Sequence, residues 1–239
     1  MLELNKIYNM DCIEGMKLIP DWSIDCIITD PPYGTTACKR DNVIPFEPMR
    51  EQLKRIIKPN GAIVLFGSEP FSSALRMSNI KQYKYDWIWE KNRASGHLNS
   101  KRMPMKNYEN ILAFYNKSPT YNPQFEEWKP YKKTPSTNTY SWYWKHNAIY
   151  QDNNGFRYPK SIIKQNSEQN EIHPTQKPVA LIEYLIKTYT NEGETVLDFT
   201  IGSWTTAIAC INTNRNYIWF ELDEWYYEIA NKRIYNVCK

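Results

Sequence analysis

The sequence predicts an α/β fold, a mainly parallel sheet with helices on both faces. Three observations carry this expectation. Short β-branched apolar runs alternate with amphipathic helical segments, the pattern that builds parallel strands through helical crossovers. Several of these runs end in loops rich in Asp, Pro or Gly, where a parallel sheet places its ligands. One long stretch, 95–170, interrupts the alternation with a different composition.

In chain order, Cys12 to Ile19 has helical spacing (Ile13, Met16, Leu18, Ile19) behind Asp11, a side chain suited to cap it. Residues 23–29, SIDCIIT, form a buried strand stopped by Pro31 and Pro32. Pro48 to Ile57 reads as a helix closed by Pro59-Asn60-Gly61, and Ala62 to Phe66 as a second buried strand. Pro70 to Met77 is helical and Tyr85 to Trp89 extended. Residues 95–170 are rich in Asn, Lys, Tyr, Pro, Ser and Trp, have weak periodicity and read as loop-rich. Regular structure returns with helix Val179 to Thr190, strand Thr195 to Asp198, helix Thr205 to Asn212, strand Tyr217 to Glu221 and helix Trp225 to Tyr235. We therefore expect one domain over 1–239, with a catalytic half 1–94, an insertion 95–170 and a cofactor-binding half 171–239.

Composition removes several classes. With 41% hydrophobic and 15% aromatic residues the chain is not disordered. The five cysteines form no CxxC pair and the three histidines are scattered, so neither a metal site nor a disulfide framework is expected. Reduced thiols, no leader pattern and no run of spanning length lead us to expect a cytoplasmic protein, without a membrane segment. A net charge of +4 is compatible with a polyanionic partner. Within the insertion, Lys101, Arg102, Lys106, Lys132 and Lys133 lie among aromatics, a mixture that meets phosphates with charge and bases with rings. A solvated insertion would look the same.

Asp30-Pro31-Pro32-Tyr33 is the strongest signal for chemistry. An exocyclic amine on a base is a poor nucleophile, because its lone pair is delocalised into the ring. Two acceptors for its N–H bonds localise that pair. Asp30 supplies one and the Pro31 carbonyl the other, while the prolines stiffen the loop. Tyr33 offers a face on which a base taken out of the duplex can stack. A strand-ending turn with an aromatic neighbour is the plain alternative. The sequence has no Pro-Cys pair of the kind a covalent route to cytosine C5 needs.

In the last third, Asp198-Phe199-Thr200-Ile201-Gly202-Ser203 joins strand to helix through a glycine turn, which lets backbone approach a nucleotide-like ligand. Glu221 ends the next strand, where an acid can accept ribose hydroxyls or be a simple surface charge. His173-Pro174-Thr175-Gln176-Lys177-Pro178 precedes a helix, and Lys177 has the reach to pair with a carboxylate.

With these blocks in hand, the chain resembles the beta group of DNA amino-methyltransferases, mostly adenine-N6-specific, in which the DPPY block comes first and the glycine-loop block last. The resemblance covers nearly the whole chain and includes Asn9-Met10-Asp11-Cys12 and Trp87-Ile88-Trp89-Glu90-Lys91. It implies a Rossmann-like fold with a seven-stranded sheet, S-adenosylmethionine as cofactor and double-stranded DNA as partner. It also implies a stand-alone, phage-borne or restriction-modification enzyme, with homodimerisation left open. Asp11 and Cys12 would border the cofactor's adenine and Glu221 its ribose. Asp198, Phe199, Gly202 and Ser203 would line its methionine end, and His173, Thr175, Gln176 and Lys177 would hold its carboxylate. The insertion would recognise the target. Cytosine-N4 methylation, a non-catalytic DNA-binding relative, and methylation of RNA or protein glutamine are the alternatives.

Two positions depart from the family pattern. Trp204 and Trp219 stand where glycine is usual, and indoles there should crowd the cofactor pocket. The chain has nine Trp and only eight Gly, against ~17 Gly at the usual ~7%. Trp22 and Trp128 also fall at loop positions natural for glycine. Three accounts compete: a degenerate enzyme, indoles that point away, or a reading frame in which these codons encode glycine.

Overall fold

The structure, a computed structural model, describes residues 2–35, 41–133, 151–167, 176–202 and 205–237. The described residues fall into two compact units, one of residues 1–122 with 161–239 and one of 123–160.

The larger unit is built on an eight-stranded sheet. Its strands are β1 (Lys6–Asn9), β2 (Ile24–Thr29), β3 (Ile57–Gly67), β4 (Tyr83–Ser95), β5 (Lys106–Phe114), β10 (Ile162–Lys164), β11 (Thr195–Asp198) and β12 (Asn216–Glu221). The remaining four, β6 (Glu126–Glu127), β7 (Tyr131–Lys133), β8 (Gln151–Asn153) and β9 (Phe156–Arg157), belong to the smaller unit, as the pairs β6–β9 and β7–β8. The helices are α1 (Cys12–Lys17), α2 (Phe46–Ile56), α3 (Phe71–Ser78), α4 (Val179–Tyr189), α5 (Thr205–Asn212) and α6 (Glu224–Val237).

The spatial order is β1-β12-β11-β2-β3-β5-β4-β10. All adjacent pairs are parallel except the two that β5 makes with β3 and β4. The expected mainly parallel architecture is therefore present, with one strand more than the seven anticipated. The loop-rich reading of 95–170 needs correction, because this stretch supplies β5 and the edge strand β10.

Alternation along the strands assigns the helices to two faces. Cys26, Ile28, Ala62, Val64, Phe66, Val196, Tyr217 and Trp219 share one apolar layer with residues of α4, α5 and α6. Ile27, Ile63, Leu65, Leu197, Ile218 and Phe220 share the other with α1, α2 and α3. Strands buried on both faces are near-continuous apolar runs, which is why β2, β3 and β11 were visible in the sequence. Gly15 of α1 packs on the Phe220 ring, where a Cβ would stand 2.4 Å from a ring carbon. The parallel strands β2, β3, β11 and β12 end at a common edge, and β5, being antiparallel, begins there.

Candidate active site

Between β11 and β2 the chain order reverses direction across the sheet, making the crevice in which open α/β sheets bind ligands. Two buried side chains lock the strand ends around it. The Thr29 hydroxyl donates to Asp198 Oδ1 (2.7 Å) and itself accepts from the Phe199 amide (3.0 Å). The Thr200 amide also donates to Asp198 Oδ1 (3.1 Å), and the Thr206 hydroxyl to Oδ2 (2.7 Å). Burial pushes the Asp198 carboxyl up to about 6, against the pull of these hydrogen bonds. Phe199 is fully buried, so only its backbone faces the turn.

Asp30 follows β2 directly. Its main-chain carbonyl accepts from the Thr200 hydroxyl at 3.1 Å, tying the two loops together. Its carboxylate is gripped from both sides: Tyr33 Oη donates to Oδ1 at 2.5 Å and Lys177 Nζ to Oδ2 at 2.5 Å. The Tyr33 ring stacks on Phe71 at 5.1 Å, and Phe71 in turn meets Phe46. Beyond the motif, Asp41 accepts from the Gly34 and Thr35 amides, both at 2.8 Å, closing the loop back on itself. Burial pushes both the Tyr33 hydroxyl and the Asp30 carboxyl above their ordinary values, and for Asp30 the Lys177 ammonium opposes the rise.

Lys177 is itself buried. Its main-chain carbonyl accepts from the Thr205 hydroxyl at 2.8 Å, and its ammonium also lies 3.2 Å from Glu109 Oε2. The other Glu109 oxygen takes the Lys91 ammonium. The Lys177 ammonium, expected from the resemblance at the cofactor's carboxylate, is here paired with Asp30 and Glu109. Glu109 escaped notice because a lone acid in a polar stretch carries no signal. Its place is fixed only by the antiparallel register that sets it opposite Trp89.

The glycine turn is held by Glu221. Its Oε2 accepts from the Gly202 amide at 3.2 Å and its Oε1 from the Asp223 amide at 2.9 Å. Gly202 has φ +42°, and among the described residues Thr200 O, at 3.7 Å, is the nearest atom to where its Cβ would stand. A glycine with positive φ at a strand-to-helix turn suits the close approach of backbone to a nucleotide-like ligand. β1 brings Asp11 and Cys12 alongside: the Met10 amide donates to the Glu221 carbonyl, and Asp11 caps α1 through the Ile13 and Glu14 amides. Burial pushes the Cys12 thiol up to about 12. Gln176 is buried beside Lys177 in sequence. His173, Thr175, Ser203 and Trp204 lie outside the described residues.

Trp219 is fully buried and stacks on Tyr217 at 3.6 Å, 7° from parallel. Both rings belong to the apolar layer shared with α4, α5 and α6. Among the described residues the Trp219 indole N–H has no hydrogen-bond partner.

Of the basic candidates, Lys101 and Arg102 are exposed beyond a 3₁₀ turn at His97–Asn99. Lys106 donates to Ser68 Oγ at 2.5 Å and sits over the Tyr108 ring. In the smaller unit Lys132 is exposed, and the Lys133 side chain lies outside the description. There the Arg157 guanidinium packs 3.9 Å over the half-exposed Trp128 ring and 5.7 Å from that of Tyr131. Among the described residues no cluster of three or more metal-ligating side chains occurs, and no helix is long and apolar enough to cross a membrane.

A family model described as DNA methylase matches residues 24–232. The chain belongs to this DNA methylase family. Among curated relatives, the type II methyltransferase M.BglII of Bacillus subtilis is 28% identical, over 95% of this chain and 68% of its own. The DNA adenine methyltransferase YhdJ of Escherichia coli is 28% identical over 97% of this chain and 83% of its own. Among solved structures, the M1.HpyAVI–SAM complex superposes with a TM-score of 0.65 at 26% identity, covering 95% of this DNA methylase and 98% of that chain. The cytosine-N4-specific PvuII methyltransferase gives 0.67 at 16% identity over 95% and 85%, a likeness of fold.

Proposed function

We propose that this DNA methylase transfers the methyl group of S-adenosylmethionine to adenine N6 at a specific sequence in double-stranded DNA. The observation that carries the reading is the Asp30 carboxylate, clamped by Tyr33 and Lys177 at the end of β2 and tied through Thr200 to the glycine turn of β11. The adenine-specific name of the relative YhdJ and the SAM complex of M1.HpyAVI support the choice of substrate and cofactor.

The cofactor supplies a methyl group on a positively charged sulfur. Glu221 would hold its ribose, with Asp11 and Cys12 beside its adenine, while Gly202 would line its methionine end on the turn that Asp198 fixes from beneath. Asp30 and the Pro31 carbonyl would accept the two N–H bonds of the target amine and so localise its lone pair for the transfer. Tyr33 orients Asp30 and flanks the extruded base. A base flipped into the crevice leaves the duplex on the outside, where Lys101 and Arg102 meet phosphates.

The test is mass spectrometry of nucleosides from unmethylated duplex DNA incubated with the protein and S-adenosylmethionine. N6-methyldeoxyadenosine is expected, and Asp30→Ala should reduce it by at least ~100-fold. N4-methyldeoxycytidine instead would make the enzyme cytosine-specific. Tight DNA binding with no methylated nucleoside would make it a binding protein.

A further inference from the structure

Four ionisable side chains from four separate elements meet at the crevice: Asp30 after β2, Lys91 on β4, Glu109 on β5 and Lys177 before α4. Their side chains are 26%, 26%, 14% and 6% exposed. They form a chain of alternating charge, Asp30–Lys177–Glu109–Lys91. Only Asp30 has a part in the transfer described above. Two carboxylates share the central ammonium, while the outer lysine is engaged by Glu109.

We propose that Glu109 is a positioning residue for the transfer: by sharing the Lys177 ammonium it keeps the Asp30 carboxylate basic enough to take the proton that the target amine releases. The proposal rests on the amino-methyltransferase reading. When the amine nitrogen bonds the methyl carbon, the C–S bond breaks and its electron pair stays on sulfur. The nitrogen then carries one proton too many. That proton passes to Asp30, the N–H pair remaining on nitrogen, and leaves later to solvent. A carboxylate fully neutralised by its own lysine is a poor base for this step. Glu109, with an oxygen 3.2 Å from the same ammonium, competes for it and weakens that neutralisation.

The same arrangement decides which carboxylate takes the proton. For Asp30, burial raises the pKa, Lys177 opposes the rise and Glu109 adds to it. For Glu109, burial also works upward, but Lys177 and Lys91 together outweigh it and hold the group below the usual carboxylate range. Glu109 therefore stays ionised while Asp30 accepts. A role limited to neutralising the buried Lys177 and the half-buried Lys91 would not require this asymmetry.

The test needs neither cofactor nor DNA. Carbon-13 NMR titration of aspartate carboxyls, with the Asp30 signal assigned by its loss in Asp30→Asn, reads the group directly. Glu109→Gln should lower the apparent pKa of Asp30 by about half a unit or more, since Lys177 then serves Asp30 alone. Lys91→Gln should raise it, because Glu109 then holds Lys177 more closely. Glu109→Asp should restore the wild-type value within about 0.3 unit. In methylation assays the acid limb of the kcat–pH profile should follow the same two directions. An Asp30 titration unmoved by Glu109→Gln, or moved upward, overturns the proposal. If Glu109→Gln does not fold, the upward shift in Lys91→Gln decides alone, and its absence overturns the proposal equally. If the titrations shift as expected but the wild type methylates nothing, the functional reading fails while the coupling stands.

Discussion

Trp22 has φ +51°, in the left-handed region, and is 65% exposed. The other described non-glycine residues with positive φ are asparagines, Asn5 and Asn214, which tolerate it. For a bulky side chain that backbone costs ~1–2 kcal/mol, more than the ~0.5–1 kcal/mol of unfolded-state freedom glycine would bring. Trp22→Gly should therefore raise the melting temperature by about 1–4 °C, measured by calorimetry. Trp219 presents the converse case, with good packing around a donor that has no partner among the described residues. Trp219→Phe removes that donor, worth ~1–3 kcal/mol, and loses some contact. Its stability in urea should stay within about 1 kcal/mol of wild type, while Trp219→Ala should cost ~3–5 kcal/mol. The strain at Trp22 and the orphaned N–H of Trp219 are both what a backbone built for glycine would display. UGG codons at 22, 204 and 219 would exclude that account.

At the scale of elements, the clip that joins β2 to β11 makes a pH-dependent contribution. The folded Asp198 carboxyl titrates near 6, above the ~3.9 of an unfolded chain. The folded state thus binds the extra proton between these values, and stability from this group falls as pH rises through that window. Asp198→Asn, which keeps the shape without the charge, should melt higher than wild type at pH 7.5 and show no such gain near pH 4, as read by circular dichroism. β11 and α5 were legible to the residue, because apolar runs and an amphipathic pattern both end in a marked loop. β5 was not legible. Its first half, Lys106 to Asn110, is polar since it delivers Lys106 and Glu109 to the crevice, leaving only Ile111–Phe114 to announce a strand. The site divides the same way. Asp30, Gly202 and Glu221 sit in compact motifs, whereas Glu109 acquires meaning only through register.

For the whole molecule, a net charge of +4 is small, so attraction to DNA must come from local clusters. Lys101 and Arg102 are exposed, adjacent and outside the sheet. Replacing both by alanine should weaken binding about equally on all duplexes and reduce the slope of log affinity against log salt by about 2. Fluorescence anisotropy across a salt series would measure it, and a loss confined to one target sequence would instead assign these residues to base reading.

Asp30 and Lys177 are 147 positions apart. At ~5–20 residues per second, a ribosome exposes the first some 7–30 s before the second. Throughout that interval Asp30 exists without its counterion, and the two halves of the crevice have no common floor. A nascent or prematurely ended chain can carry the complete DPPY motif and remain chemically silent. The crevice is then complete only when the last third of the polypeptide has been delivered.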